Sequence, residues 1–375
     1  MSNTFKLLVG ADAFVKEFAA CISACHKNLY VQFSTFEGDA SGQAFANLLM
    51  ERAQHGVDGR MLLDYYSDVV LSDIYPIFIH KMRQVRQERA QTHQLLQTMR
   101  QQGIQIQRTA PPGPLGIYML HRDHKKMVIL DDHTAFVGGI NISDHNYAWH
   151  DFMVKIEGPL VHDLLEDFCS TWNGETRPFD VPAAHGDFVL NQCAGRYPIF
   201  DEILAMVDRA KESIVIESPY LLGDNIENAL AAAAERGVKV TIIMPSLSNK
   251  WLYRFWVRTL RRRLNHPNVT IYGYQGAHHM THAKLVLVDQ HWATFGSLNM
   301  FELEGSTQKE LNVFTSNADF ITQLQRLIQT DLEKSVVLPP PRYAFGRFTY
   351  RAAYDFFIWW NKRLLKNPQW KAAYC

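Results

Sequence analysis

The chain has 375 residues, with 38 Lys+Arg against 38 Asp+Glu and a formal charge of zero. A hydrophobic fraction of 47% and a charged fraction of 20% exclude a disordered, collagen-like or coiled-coil protein. The length suits two domains, and the neutral balance excludes a bulk polyelectrolyte but not local basic patches.

In chain order, the N-terminus offers one Lys and a short apolar run, without the longer apolar stretch and cleavage site of a secretory leader. Nowhere do about 18 apolar residues run together, so no spanning helix is expected and any membrane contact is peripheral. Five scattered cysteines, Cys21, Cys25, Cys169, Cys193 and Cys375, fit a reducing compartment better than a disulfide framework. Residues 29–36 alternate like a strand, residues 48–57 end a helix at Gly56, and residues 61–64 read as a second strand. A polar stretch, about 80–103, carries Lys81, Arg83, Arg86 and Arg89 and reads as a solvated helix. The stretch 173–186, rich in Pro and Gly, reads as a boundary. Beyond it the first pattern returns: strand at 214–217, helix at 231–234 closed by Gly237, strand at 240–244. Strand, helix, strand in both halves is the βαβ signature of an α/β sheet domain. The expected division is 1–177, 178–340 and a tail, 341–375.

The chemistry-bearing residues repeat with the halves. His124-Lys125-Lys126 is followed by Asp131 and by Gly138-Gly139-Ile140-Asn141. His282-Ala283-Lys284 is followed by Asp289 and by Gly296-Ser297-Leu298-Asn299. Five identical positions at identical spacing arise by chance on the order of once in 10⁶ start points. Residues two apart on a strand share a face, so each His lies beside its Lys. With turns at Asp132-His133 and Gln290-His291, hairpin partners are expected to sum to 265 and 581, which sets Asn141 across from His124 and Asn299 across from His282. Gly139 and Ser297 then face the lysines and leave room for a ligand to approach the backbone. Each copy thus gathers an imidazole, an ammonium and a carboxamide, a set suited to an anionic tetrahedral centre such as a phosphodiester. Asp131 and Asp289 lie an odd number of residues from the lysines and are assigned a structural role at the strand end. His121 and His279 lie three residues before the motif histidines, which on a strand means the opposite face, so neither a metal nor another cofactor is expected.

These residues resemble the duplicated motif of the phospholipase D superfamily, over roughly residues 5–335. The resemblance implies two similar α/β/α sandwich domains about a pseudo-twofold axis, with one active site at their interface and a metal-free reaction through a phosphohistidine. It makes His124 the nucleophile, His282 the acid/base, and Lys126, Asn141, Lys284 and Asn299 the phosphate-binding set. It also implies an acid after each motif that holds a catalytic imidazole: Asp151, 27 residues after His124, and Glu310, 28 after His282. Within the superfamily the chain is most similar to bacterial cardiolipin synthases of the short type without an N-terminal anchor, through 289–297, Glu157-Gly158-Pro159 and the aromatic, basic tail. Two departures are Asp132, where Gly is common, and Gln32, where an acid is often found and whose counterpart is Glu217.

Two segments suit an anionic membrane surface. Residues 250–266 hold six Lys/Arg with Trp251, Tyr253, Phe255 and Trp256, and the tail holds seven Lys/Arg with Phe345, Phe348, Tyr350, Phe356, Trp359, Trp360 and Trp370. The expected function is phosphatidyl transfer on a phospholipid such as phosphatidylglycerol, at the cytoplasmic face of a membrane. The alternatives are hydrolysis by a phospholipase D, a nuclease of the same superfamily, which the neutral charge disfavours, and a non-catalytic lipid-binding scaffold.

Overall fold

The computed structural model describes residues 2–68, 82–113, 121–182, 186–342 and 346–364. Lys81, Phe345 and Trp370 lie outside the described residues. The chain divides into two compact units, Met1–Ala148 with Phe152–Arg177, and Trp149–Asp151 with Pro178–Cys375.

The first unit runs β1 (Thr4–Val9), α1 (Ala11–Ile22), β2 (Asn28–Phe33), α2 (Ala40–Gln54), β3 (Asp58–Asp64), α3 (Met82–Gln101), β4 (Gln105–Thr109), β5 (Met127–Leu130), β6 (Thr134–Gly138), α4 (Asp144–Tyr147), β7 (Phe152–Glu157) and α5 (Leu160–Trp172). Its seven strands lie in the order β1-β7-β6-β5-β2-β3-β4. The βαβ reading holds, since β2 and β3 are parallel. Asp39 caps α2 by accepting from the Gly42 N–H at 3.0 Å. Gly56 follows the helix at φ 85°, where a Cβ would be strained. The core sets Phe18 and Phe45, stacked at 4.8 Å, against Phe14 and Phe136. The solvated-helix reading of 80–103 is corrected on one face: Val85, Leu96 and Met99 of α3 are buried.

The second unit runs β8 (Phe188–Gln192), α6 (Pro198–Arg209), β9 (Ser213–Glu217), β10 (Leu221–Leu222), α7 (Asp224–Glu235), β11 (Lys239–Pro245), α8 (Trp251–Arg263), β12 (Val269–Tyr274), β13 (Leu285–Val288), β14 (Trp292–Gly296), β15 (Met300–Phe301), α9 (Glu302–Gly305), β16 (Glu310–Thr315), α10 (Ala318–Glu333), β17 (Ser335–Val337) and α11 (Arg347–Leu364). Its large sheet reads β8-β16-β14-β13-β9-β11-β12-β17 from one edge. Strand for strand this repeats the first sheet, with β17 added, so the fold is a duplicated α/β/α sandwich.

The motif hairpins depart from the expected register by one residue. Met127 pairs with Val137 and Leu285 with Phe295, so partners sum to 264 and 580. The loops are three residues long, because the motif aspartate has left the strand. Asp131 and Asp132 stand at φ 50° and 61°, and Asp289 and Gln290 at 50° and 52°. That left-handed backbone favours glycine and tolerates Asp, which explains Asp132. Turned out in this way, the Asp131 carboxylate accepts from the N–H groups of His26, Lys27 and Asn28 at 2.8, 2.6 and 3.1 Å. Asp289 accepts from Lys211, Glu212 and Ser213 at 2.9, 2.8 and 2.9 Å. Each carboxylate therefore ties its hairpin to the start of the adjacent strand, β2 or β9. Burial raises both carboxyl pKa values, but the backbone donors outweigh it and hold them below the ordinary range. Asp289→Ala is expected to lower the unfolding free energy by about 1–2 kcal/mol, with partial recovery in Asp289→Asn. Urea denaturation checks this; an unchanged midpoint for the alanine variant would refute the tie.

The two basic, aromatic segments are also corrected. In α8, Tyr253 and Trp256 belong to the core rather than the surface, and Trp256 packs on Tyr350 of α11 at 5.4 Å. Arg263 pairs with Asp224 and Glu227, Lys250 pairs with Glu304, and Arg261 and Arg262 donate to backbone carbonyls. The tail is thus partly core: Tyr350 is 6% exposed, whereas Phe348, Phe356 and Trp359 are 84%, 53% and 52% exposed. No helix among the described residues is long and apolar enough to cross a membrane.

Candidate active site

The residues of each motif lie in an extended approach to a short strand, β5 or β13, whose residues are all buried. In the first unit, the Lys126 ammonium donates to the His124 carbonyl, and Asn141 Oδ1 accepts from the Thr35 N–H at 3.1 Å. Lys125, between His124 and Lys126, faces elsewhere. Its Nζ donates to Asp167 Oδ2 and Thr171 Oγ1 on α5, both at 2.7 Å, in a fully buried pair. The lysine that shares a setting with Lys284 is therefore Lys126, not Lys125.

In the second unit, Lys284 Nζ donates to the His282 carbonyl at 2.6 Å and lies 3.0 Å from His282 Nδ1. Burial pushes this ammonium down to about 8, against the carboxylates of Asp151, Glu310 and Glu304. Asn299 Nδ2 donates to Glu304 Oε2 at 3.1 Å, and Glu304 also holds Lys250. Glu310 is buried and accepts from the Ser297 hydroxyl. Asp151 belongs to the second unit, where its Oδ2 meets His282 Nδ1 at 2.7 Å. The acid that follows the first motif thus holds the histidine of the second. That contact fixes the imidazole tautomer and stabilises imidazolium, and the Lys284 ammonium lies 3.3 Å from Nε2.

Gly138 and Gly296, which precede the two residues expected to leave room, are themselves hemmed in by the neighbouring strand. A Cβ on Gly138 would lie 2.3 Å from the Phe152 carbonyl oxygen, and one on Gly296 would lie 2.2 Å from that of Leu311. The neighbouring strand fills the space, and the Ser297 hydroxyl is spent on Glu310.

Several residues around the second motif carried no expected role: His150, Thr281, Glu304 and Asp331. The Asp331 Oδ2 meets His150 Nε2 at 2.9 Å, and the Glu217 carboxylate accepts from Thr281 Oγ1. Among the described residues, His150, Glu217 and Asp331 form the group whose ligand atoms all lie within 4.8 Å of one another. His121 and His279 are not part of it. The sequence does carry one signal. Asp331 falls in the apolar stripe of α10, with Phe320, Leu324, Leu327 and Ile328, where a charge needs a buried partner.

A duplicated α/β sandwich that presents His, Lys and Asn twice defines an enzyme of the phospholipase D class, which cleaves or transfers at phosphodiesters. The family model described as cardiolipin synthase, PLD-like domain, matches residues 18–172 and 203–332, and the chain belongs to that family. A probable cardiolipin synthase of Bacillus subtilis is 26% identical over 364 residues, which covers 90% of this chain and 68% of that protein. Cardiolipin synthase B of Salmonella typhimurium is 29% identical over 367 residues, covering 88% of this chain and 82% of that protein. Among solved structures, the phosphatidylserine synthase of Haemophilus influenzae shares the fold, with a TM-score of 0.66 at 13% identity over 94% of each chain.

Proposed function

We propose that this chain is a phosphatidyltransferase of the cardiolipin-synthase type. The observation that carries the reading is the Asp151–His282 pair, an oriented acid/base within one of two matched His-Lys-Asn sets. His124 attacks the phosphorus of a phospholipid, and the bond to the departing alcohol breaks as His282 supplies that alcohol's proton. His282 then takes a proton from an acceptor alcohol, which attacks the phosphohistidine and frees His124. Lys126, Lys284, Asn141 and Asn299 neutralise and orient the phosphoryl oxygens. With phosphatidylglycerol as both donor and acceptor, the products are cardiolipin and glycerol. The relatives named cardiolipin synthase support this choice of substrate.

The exposed face of α11 supports a peripheral lipid contact. Phe348, Phe356 and Trp359 stand out beside Arg351, and Arg363 lies 5.6 Å over the Trp359 ring. The test is incubation with phosphatidylglycerol vesicles in EDTA, followed by mass spectrometry of the lipids. Cardiolipin is expected, and the combination Phe348→Ser with Trp359→Ser lowers its yield on vesicles more than on short-chain soluble lipid. Phosphatidic acid as the main product would make the enzyme a hydrolase. Turnover of DNA or RNA with none of lipid would make it a nuclease.

A further inference from the structure

A second group of buried, ionisable side chains sits behind the acid/base pair, and none of them belongs to either motif. His150 immediately precedes Asp151, and Thr281 immediately precedes His282. The two backbones are laced together: His150 N–H donates to the Met280 carbonyl at 3.1 Å, and His282 N–H donates to the His150 carbonyl at 2.6 Å. The side chains are tied as well. His150 Nε2 meets Asp331 Oδ2 at 2.9 Å, with the His150 ring stacked on Tyr274 at 4.8 Å, and Thr281 donates to Glu217. Glu217 and Asp331 are fully buried. Glu217 Oε2 and Asp331 Oδ1 have no hydrogen-bond partner when both acids are ionised. Two carboxylates with oxygens within 4.8 Å of each other in an apolar interior do not both stay charged, and a single proton shared between them relieves the repulsion.

We propose that His150, Asp331, Glu217 and Thr281 form a proton-sharing clamp that holds Asp151 against His282, which makes them positioning residues for the acid/base. The inference rests on the reading of His282 as that acid/base. Three observations carry it. The clamp grips the immediate neighbour of each member of the catalytic pair. Its links join four segments, β9, α10, Trp149–Asp151 and the approach to β13, so they fix the pair in two directions. The duplicated first unit supplies the third: Gln32, at the position on β2 that matches Glu217 on β9, is a neutral amide. A protonated Glu217 is the near isostere of that amide. Burial, then the charge of Asp331, pushes the Glu217 carboxyl up to about 8, in keeping with a neutral acid. A divalent cation would need the His150 nitrogen and the Asp331 oxygen that are already joined to each other, and an ionised Glu217.

The test compares Asp331→Leu, Glu217→Leu and Glu217→Gln on two substrates. One is phosphatidylglycerol, whose departing alcohol needs a proton. The other is a phosphodiester with a p-nitrophenol leaving group, which does not. Asp331→Leu and Glu217→Leu are expected to lose at least tenfold in kcat on the lipid, with KM little changed. Formation of the phosphoenzyme from the activated diester falls less than threefold. Glu217→Gln recovers most of the loss, since the amide still donates to Asp331. His282→Ala, run alongside, separates the two ideas: if it shows no dependence on the leaving group, the acid/base reading fails before the clamp is tested. If it shows that dependence and the leucine variants lose activity equally on both substrates, the clamp is refuted. A leucine variant that fails to fold would lose both activities with its melting transition; Glu217→Gln against wild type then decides, and a loss of tenfold or more in a folded protein overturns the proposal. Stoichiometric metal in the purified protein, lost in Glu217→Gln, would also overturn it and assign the cluster to a cation.

Discussion

Replacing His124 by alanine removes turnover, by about 10⁴-fold or more, together with any covalent phosphoenzyme. Nothing else in the chain is proposed to attack phosphorus, so no partial reaction survives. His282→Ala behaves differently. It slows release of a natural alcohol by about 10²–10⁴-fold, the usual contribution of a general acid, yet leaves phosphoenzyme formation from an activated diester nearly intact. Asp151→Asn should follow His282→Ala with a smaller loss, since it frees the imidazole without removing it. Rapid-quench measurement of the phosphoenzyme separates these variants. A phosphoenzyme in His124→Ala, with none in His282→Ala, would exchange the two roles.

The second large effect concerns two adjacent lysines. Lys125→Met leaves the Asp167 carboxylate buried without its ammonium, and breaking a buried pair in this way costs about 3–5 kcal/mol of stability. The protein that does fold keeps its turnover, because Lys125 faces α5. Lys126→Met does the reverse. It removes a donor proposed to face the phosphoryl oxygens, at about 10²–10³-fold in kcat, and with it the hydrogen bond to the His124 carbonyl. Adding Asp167→Leu to Lys125→Met restores most of the stability. Equal melting temperatures for the two single variants, with equal activity losses, would contradict the division.

The pattern of apolar runs made the duplicated α/β sheets legible, because period and glycine placement are local properties. The strands around 29–36, 61–64, 214–217 and 240–244 correspond to β2, β3, β9 and β11. The hairpin register was not legible. It turns on whether Asp131 and Asp289 adopt a left-handed backbone, and their reward is three N–H donors about 80–100 residues away. The same limit governed the aromatic residues of α8. Composition marks them as interfacial, but Tyr253 and Trp256 meet a core that includes Phe301 and Tyr350, which only the tertiary fold brings near. The buried acids were half legible. Asp167 on α5 and Asp331 on α10 each interrupt an apolar stripe, which announces a partner without naming it. The partners, Lys125 and His150, lie 42 and 181 residues distant.

The segment Trp149–Asp151 leaves one compact unit for three residues and then returns to it. Asp151 emerges from the ribosome 131 residues before His282. At about 5–20 residues per second, the carboxylate is made roughly 7–26 s ahead of the imidazole it serves. A chain truncated or paused before His282 therefore has no Asp151–His282 pair, and a separately made C-terminal half, beginning at Pro178, would lack that carboxylate from birth.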